Sequence, residues 1–168
     1  MNKNQAQLAA LCQAVLVREQ ALLRAILTAL QQCHRNLASN DPAAMAQAVE
    51  HCKVAASMIG QVHAHRDQFR QAAACILEVE PALVTLRLAA KHLPPAEASF
   101  VNRERQRLIA LGEEIQRVHQ GNAVIVWWCL DFVQRVFAAI QGNVIGSRYS
   151  AGGKAQAGSC GPLWQGQG

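Results

Sequence analysis

Across residues 101–140, apolar side chains return every three or four positions. A helix can sustain such a run and a strand cannot, because strands alternate with period two and are rarely so long. Val101, Leu108, Leu111, Ile115, Val118, Ile125, Cys129, Phe132, Val136 and Ala139 keep the spacing of a helix seated along a partner, interrupted by Glu104 and Asn122. Past Asn122 a second stripe emerges. Stepped at about 100° per residue, Val126, Leu130, Val133, Phe137 and Ile140 fall on the flank beside that seam. Trp127 falls near the middle of the remaining face, with Asp131 and Gln134, where a large aromatic is a further contact. One stripe is enough for a core, and two ask for two partners. The C-terminal half of this helix therefore reads as a surface that binds another protein.

The rest of the chain supplies partners for the first stripe. Leu8, Cys12, Val15, Leu22, Ile26, Leu30, Cys33 and Leu37 form a seam broken once, by Glu19, before Ser39-Asn40-Asp41-Pro42 interrupts it. Asp41 can cap the next helix, and Pro42 suits a first turn that needs no amide donor. That second helix carries Met45, Val49, Cys52, Ala56, Ile59, Val62, Phe69 and Ile76 and ends before Glu80-Pro81. The tight connection makes the two helices antiparallel neighbours. Residues 81–93 give a short helix through Leu83, Leu86 and Ala90, which Pro94-Pro95 stops; the last helix starts near Ala96 and closes at Gln141-Gly142, with the glycine as C-cap. At ~1.5 Å per residue that helix is about 70 Å long against about 50 Å for the first, so part of it stays uncovered. Eight of the 11 glycines lie in residues 142–168, a stretch too poor in apolar side chains to build a core. The expected architecture is an all-α antiparallel bundle of three long helices and one short one over residues 1–141, followed by a Gly-rich, flexible C-terminal tail over residues 142–168.

Composition narrows the function classes. A chain of 168 residues is large enough for one domain with a real core. Its 51% hydrophobic content comes largely from Ala, Leu, Val and Ile, without Asn-Gly or Asp-Gly hairpin signals. A net charge of +5 is well short of the dense basic face of a nucleic-acid binder, and Arg103, Arg105 and Arg107, with Glu104 among them, read as a solvated helix face. Cys12, Cys33, Cys52, Cys75, Cys129 and Cys160 form no Cys-x-x-Cys pair and mostly hold apolar helical positions, as small core residues in a reducing compartment do. Residues 1–7 carry no secretory signal pattern, so a cytoplasmic location is expected. A membrane span over residues 123–140 would place Asp131 and Arg135 in hydrocarbon at roughly 2.5–3.5 kcal/mol each, which argues against one.

Catalytic and metal patterns are weak. Cys33-His34 and His51-Cys52 flank the first turn, and a hairpin could bring them together, but each cysteine follows its own helix's apolar rhythm rather than a short-loop ligand spacing. His63 and His65, two apart, face different sides of a helix and read as surface residues. No Glu-x-x-His pair suggests a di-iron bundle, and no Ser/His/Asp grouping or phosphate loop is present. No metal, no cofactor and no enzymatic activity are expected. His51-Cys52-Lys53 loosely matches a histidine phosphotransfer site but lacks the His-x-x-Lys-Gly order. Asn122, at a seam position, can fix helix register through a buried hydrogen bond or mark where the core gives way to the binding surface.

Leu111-Gly112-Glu113-Glu114-Ile115, then Asn122, the apolar block through Leu130-Asp131-Phe132-Val133, and finally Tyr149-Ser150-Ala151-Gly152 follow in an order and spacing that resemble the FlgN-type flagellar export chaperones. With Asp41, Lys53 and Arg66 upstream, the resemblance covers residues 8–153. Two positions depart from it, His119 where an asparagine is frequent and Cys33 where an acidic residue is common. The resemblance implies a cytoplasmic type III export chaperone that holds the C-terminal helical segments of hook-filament junction proteins with its own C-terminal region, and that meets export-gate components. The client-binding residues expected on this basis are Asn122, Val126, Trp127, Leu130, Val133, Phe137, Ile140 and Tyr149. A homodimer that hides the same stripe is the alternative, since an exposed apolar patch is equally consistent with self-association; a phosphotransfer domain is a third.

Overall fold

A computed structural model describes residues 2–39, 41–140, 148–149 and 155–156. Its elements are α1 (Lys3–Ala38), α2 (Pro42–Leu77), a 3-10 turn (Pro81–Leu83), α3 (Leu86–Lys91), α4 (Pro95–Ile140), and two-residue strands β1 (Arg148–Tyr149) and β2 (Ala155–Gln156), paired antiparallel with Tyr149 opposite Ala155. The all-α class with three long helices holds. The chain divides into two units, Met1–Ala123 and Val124–Gly168.

Local chemistry sets the helix starts. Asn2 and Gln5 form a capping box on α1, the Asn2 N–H donating to Gln5 Oε1 at 3.2 Å. The Asp41 carboxylate accepts from the Ala43 N–H at 3.0 Å, and Pro42 occupies the first turn of α2, as expected. Glu78 ends α2 in the left-handed region, at φ 55°. The single short helix expected over residues 81–93 is instead two pieces. Thr85, in extended backbone, caps α3 by accepting from the Leu88 N–H at 3.0 Å, so the chain breaks between Leu83 and Leu86. Asn40, the Gly142 cap and most of residues 142–168, Cys160 included, lie outside the described residues.

Within Met1–Ala123, α1 and α2 run antiparallel, as the pairs Glu19–Arg66 and Cys33–Cys52 require. The first half of α4 runs parallel to α1, with Gln20 bonded to Glu104 and Leu30 to Asn122. The α1 seam is as expected, with Leu8, Cys12, Val15, Ile26, Leu30 and Cys33 buried. The α2 seam is not. Ala48, Ala55, Val62 and Phe69 are buried at a seven-residue interval, whereas Val49, Ala56 and Ile59 are exposed, as is Cys52, whose sulfur nevertheless meets Cys33. Ala48 and Ala55 share this inner face with Val62 and Phe69, and their small side chains suit a close contact between α1 and α2.

The interior has two apolar clusters. One gathers Leu8, Cys12, Leu16, Phe69, Ala73, Val84, Ala89, Leu93 and Val101. The other gathers Ile26, Ala29, Leu30, Ala55 and Val62, with Ile115 and Val118 packed against it. A polar layer of Glu19, Gln20, Arg66 and Glu104 lies between them in chain order on α1. The Arg66 guanidinium forks onto Glu19, its Nε and Nη2 donating at 3.0 and 2.9 Å. Glu104 accepts from Gln20 Nε2 at 2.7 Å, Arg107 Nη1 at 2.8 Å and Arg103 Nε at 3.3 Å. Gln20 foremost, with Arg107 and Arg103, holds its carboxyl below the usual range against the opposing effect of burial. Glu104 is thus a buried, fully bonded acid, not part of a solvated charge run.

Candidate functional site

Val101, Glu104, Leu108 and Asn122 are the buried residues of α4, and Leu111, Ile115 and Val118 are half-buried. Past Asn122 no described residue of the helix is buried. At about 100° per residue the face that carries Val101, Leu108 and Ile115 continues as Val126, Cys129, Val133, Val136, Phe137 and Ile140. The core stripe of the first half is therefore prolonged by an exposed one, with Phe137 58% and Ile140 65% accessible. Val126, Leu130 and Val133 are exposed with them.

The flanks are apolar too. Phe132 is 66% exposed and Val136 is also exposed, although the sequence pattern placed both in a covered seam. A seam spacing states only that a face is apolar; it does not supply a partner. Trp127 and Trp128 are both exposed and meet edge to face, with ring centroids 5.0 Å apart and planes at 77°. The two charged residues of this segment pair with each other, Arg135 Nε lying 2.9 Å from Asp131 Oδ2 one turn away. By length and composition α4 is also long and apolar enough to cross a membrane.

Asn122 stands at the head of this surface but is not exposed on it. It is 4% accessible; its Nδ2 donates to the Leu30 carbonyl at 2.9 Å, and its Oδ1 lies 2.9 Å from His34 Nδ1. With the amide oriented by Leu30, Oδ1 must accept, so His34 carries its proton on Nδ1. The residue fixes the register of α4 against α1, one of the two roles expected of it, and is the last buried position described in the helix. As a direct client contact it is closed off. The side chain of Tyr149 lies outside the described residues.

The other constellations lie mainly on α1 and α2. Cys33 and Cys52 come to 3.1 Å between sulfurs, but His34 is engaged with Asn122. Among the described residues no group of three or more His, Cys, Asp or Glu could hold a metal ion. Of the cysteines read as core residues, Cys12 and Cys33 are buried, whereas Cys52 and Cys75 are exposed and Cys129 is half-buried. Burial pushes the Cys12 thiol up to about 11; burial, then the bond to Cys52, pushes Cys33 up to about 12. Both stay protonated and unreactive near neutrality. Lys53 pairs with Glu50 at 2.7 Å on the surface. His65, read as a surface residue, is half-buried with its Nδ1 enclosed and unbonded among the described residues.

What sequence reasoning missed is the polar layer. Its signal was a carboxylate at a seam position in each of two helices, Glu19 and Glu104, each bonded to a side chain of another helix. Compared with known families, residues 6–157 match the model described as FlgN protein. The chain belongs to the FlgN family. That is a family of flagellar export chaperones, and a helical bundle with an exposed apolar helix face accords with it. No curated protein and no solved structure matches the chain.

Proposed function

We propose that this FlgN-family protein is a cytoplasmic, non-enzymatic export chaperone that holds the C-terminal helical segments of hook-filament junction proteins against α4 and hands them to the export gate. The observation that carries the reading is the exposed prolongation of the α4 core stripe. An amphipathic client helix would lay its apolar face on Val126, Leu130, Val133, Phe137 and Ile140, with Trp127 at the edge and Tyr149 as a further contact. Asn122 takes no part in the grip and anchors the head of the surface. Residues 1–141 serve as the bundle that presents this helix, and residues 142–168 as a separate tail.

Burying five large side chains contributes ~8–15 kcal/mol, against an association cost of roughly 4–15 kcal/mol. The balance is moderate affinity, which suits a partner that must be released. A patch of this kind is also unusual on a monomer at rest.

The test replaces Val133 and Phe137 with Asp and measures helicity and client binding separately. Retained helicity with binding weakened at least tenfold supports the surface. Cooperative loss of helicity would make these residues ordinary core. Light scattering separates self-association: a dimer whose mass is unchanged by client would assign the stripe to a second copy. Flotation of the client-free protein with lipid vesicles would assign it to a membrane.

A further inference from the structure

A cleft of about 570 Å³ opens among α1, α2, the residues 84–87 and the first half of α4, wholly inside Met1–Ala123, and it shares no residue with the proposed client surface. Its apolar lining includes Val15, Phe69, Val84 and Leu108, all buried. Around these stand four arginines, Arg66, Arg70, Arg87 and Arg105, of which Arg70 pairs with Asp67 at 3.1 Å. The one acid in the lining is Glu19, and Arg66 already occupies both of its oxygens. The cleft is therefore apolar at its base and cationic at its rim, where Arg87 and Arg105 have no ion pair among the described residues.

Arg105 adds the second observation. Its Nε is enclosed and has no hydrogen-bond partner among the described residues. A guanidinium N–H shut away from water without an acceptor is costly, and a carboxylate is the acceptor whose two oxygens match the guanidinium fork. The volume falls in the ~300–1,000 Å³ range of sites that receive a ligand. Residues 142–168 are the wrong occupant by charge, since they contain Arg148 and Lys154 and no Asp or Glu.

We propose that this cleft receives a short acidic segment of a partner protein, with carboxylates on Arg87 and Arg105 and a large apolar side chain on Phe69 and Leu108. It is a second binding site, so the chaperone can engage a client and an acidic partner at once. Charge steering makes the association fast and salt-sensitive.

The probe is a fluorescein-labelled peptide, Gly-Glu-Leu-Glu-Phe-Glu-Leu-Gly, titrated with the full chain and followed by anisotropy at low and at physiological salt. Arg87→Glu, on the exposed rim, and Arg105→Gln are each expected to weaken binding at least tenfold. Arg24→Glu, which makes the same charge change outside the cleft, is expected to stay within twofold, as is the Val133→Asp, Phe137→Asp double variant. A peptide with Gln in place of Glu is expected not to bind. The proposal is overturned if the Glu peptide does not bind the folded chain, if the Gln peptide binds equally, or if Arg24→Glu weakens binding as much as Arg87→Glu. Loss in the double Asp variant alone would place the peptide on α4 and likewise overturn it. Should Arg105→Gln unfold the chain, Arg87→Glu still decides.

Discussion

Glu19 is 3% exposed and its only counter-charge among the described residues is Arg66, whose side chain is 44% exposed. Removing one partner of a buried pair leaves the other uncompensated, which is worse than never having had the pair. Arg66→Ala is therefore expected to destabilise by about 2–4 kcal/mol, below the ~3–5 kcal/mol of a fully enclosed pair because Arg66 is screened by solvent; urea unfolding measures it. Glu19→Gln, which keeps the shape and removes the charge, is expected to be milder. Cys12 gives a prediction at alkaline pH. Its folded value of about 11 lies above the ordinary 9.0, so the stability it contributes is complete below pH 9 and is lost as pH rises toward 11. The native state binds the extra proton there, and the slope from this thiol is at most about 1.4 kcal/mol per pH unit. Cys12→Ala should flatten the wild-type decline over that window; an unchanged slope would refute the assignment. At this scale the sequence was least legible. Glu19 and Glu104 read as breaks in a seam because Arg66, which pairs with the first, and Gln20, which bonds the second, stand on other helices, out of reach of any local pattern.

At the scale of elements, legibility followed the strength of local chemistry. Asp41-Pro42 announced the start of α2, and Pro94-Pro95 the start of α4, to within a residue or two. Thr85 was overlooked as a cap, and that is why one expected helix became a turn and α3. The seam of α2 was misplaced for a different reason. Hydrophobicity ranks Val49 and Ile59 above Ala48 and Ala55, but the small side chains of the alanines suit a close contact between α1 and α2. Ala55 is 3% exposed at that contact. Ala55→Leu is thus expected to overpack it and to destabilise by about 1–3 kcal/mol, whereas Ile59→Ala, on the outer face, is expected to stay within about 0.5 kcal/mol. Thermal melts of the two variants compare them directly, and equal losses would contradict the inner assignment of the alanines. The cationic cleft was invisible in sequence, since its arginines come from α2, α3 and α4 and only folding assembles them.

At the scale of the molecule, one helix has two lives. Up to Asn122 its apolar face is core, and beyond Asn122 the same face, by the same periodicity, is exposed. The excess of apolar residues past Asn122 was legible in the sequence, but which stripe would lack a cover was not, because periodicity reports the chemistry of a face and never its neighbour. The physical claim proposed for that surface is that a client helix completes the packing α4 begins. Amide hydrogen exchange across residues 124–140, with and without a peptide from the C-terminal helical segment of a junction protein, tests it most directly. The account predicts marked slowing of exchange in these amides on peptide binding, with little change in α1 and α2. Binding that leaves residues 124–140 unaltered and protects another part of the chain would contradict it.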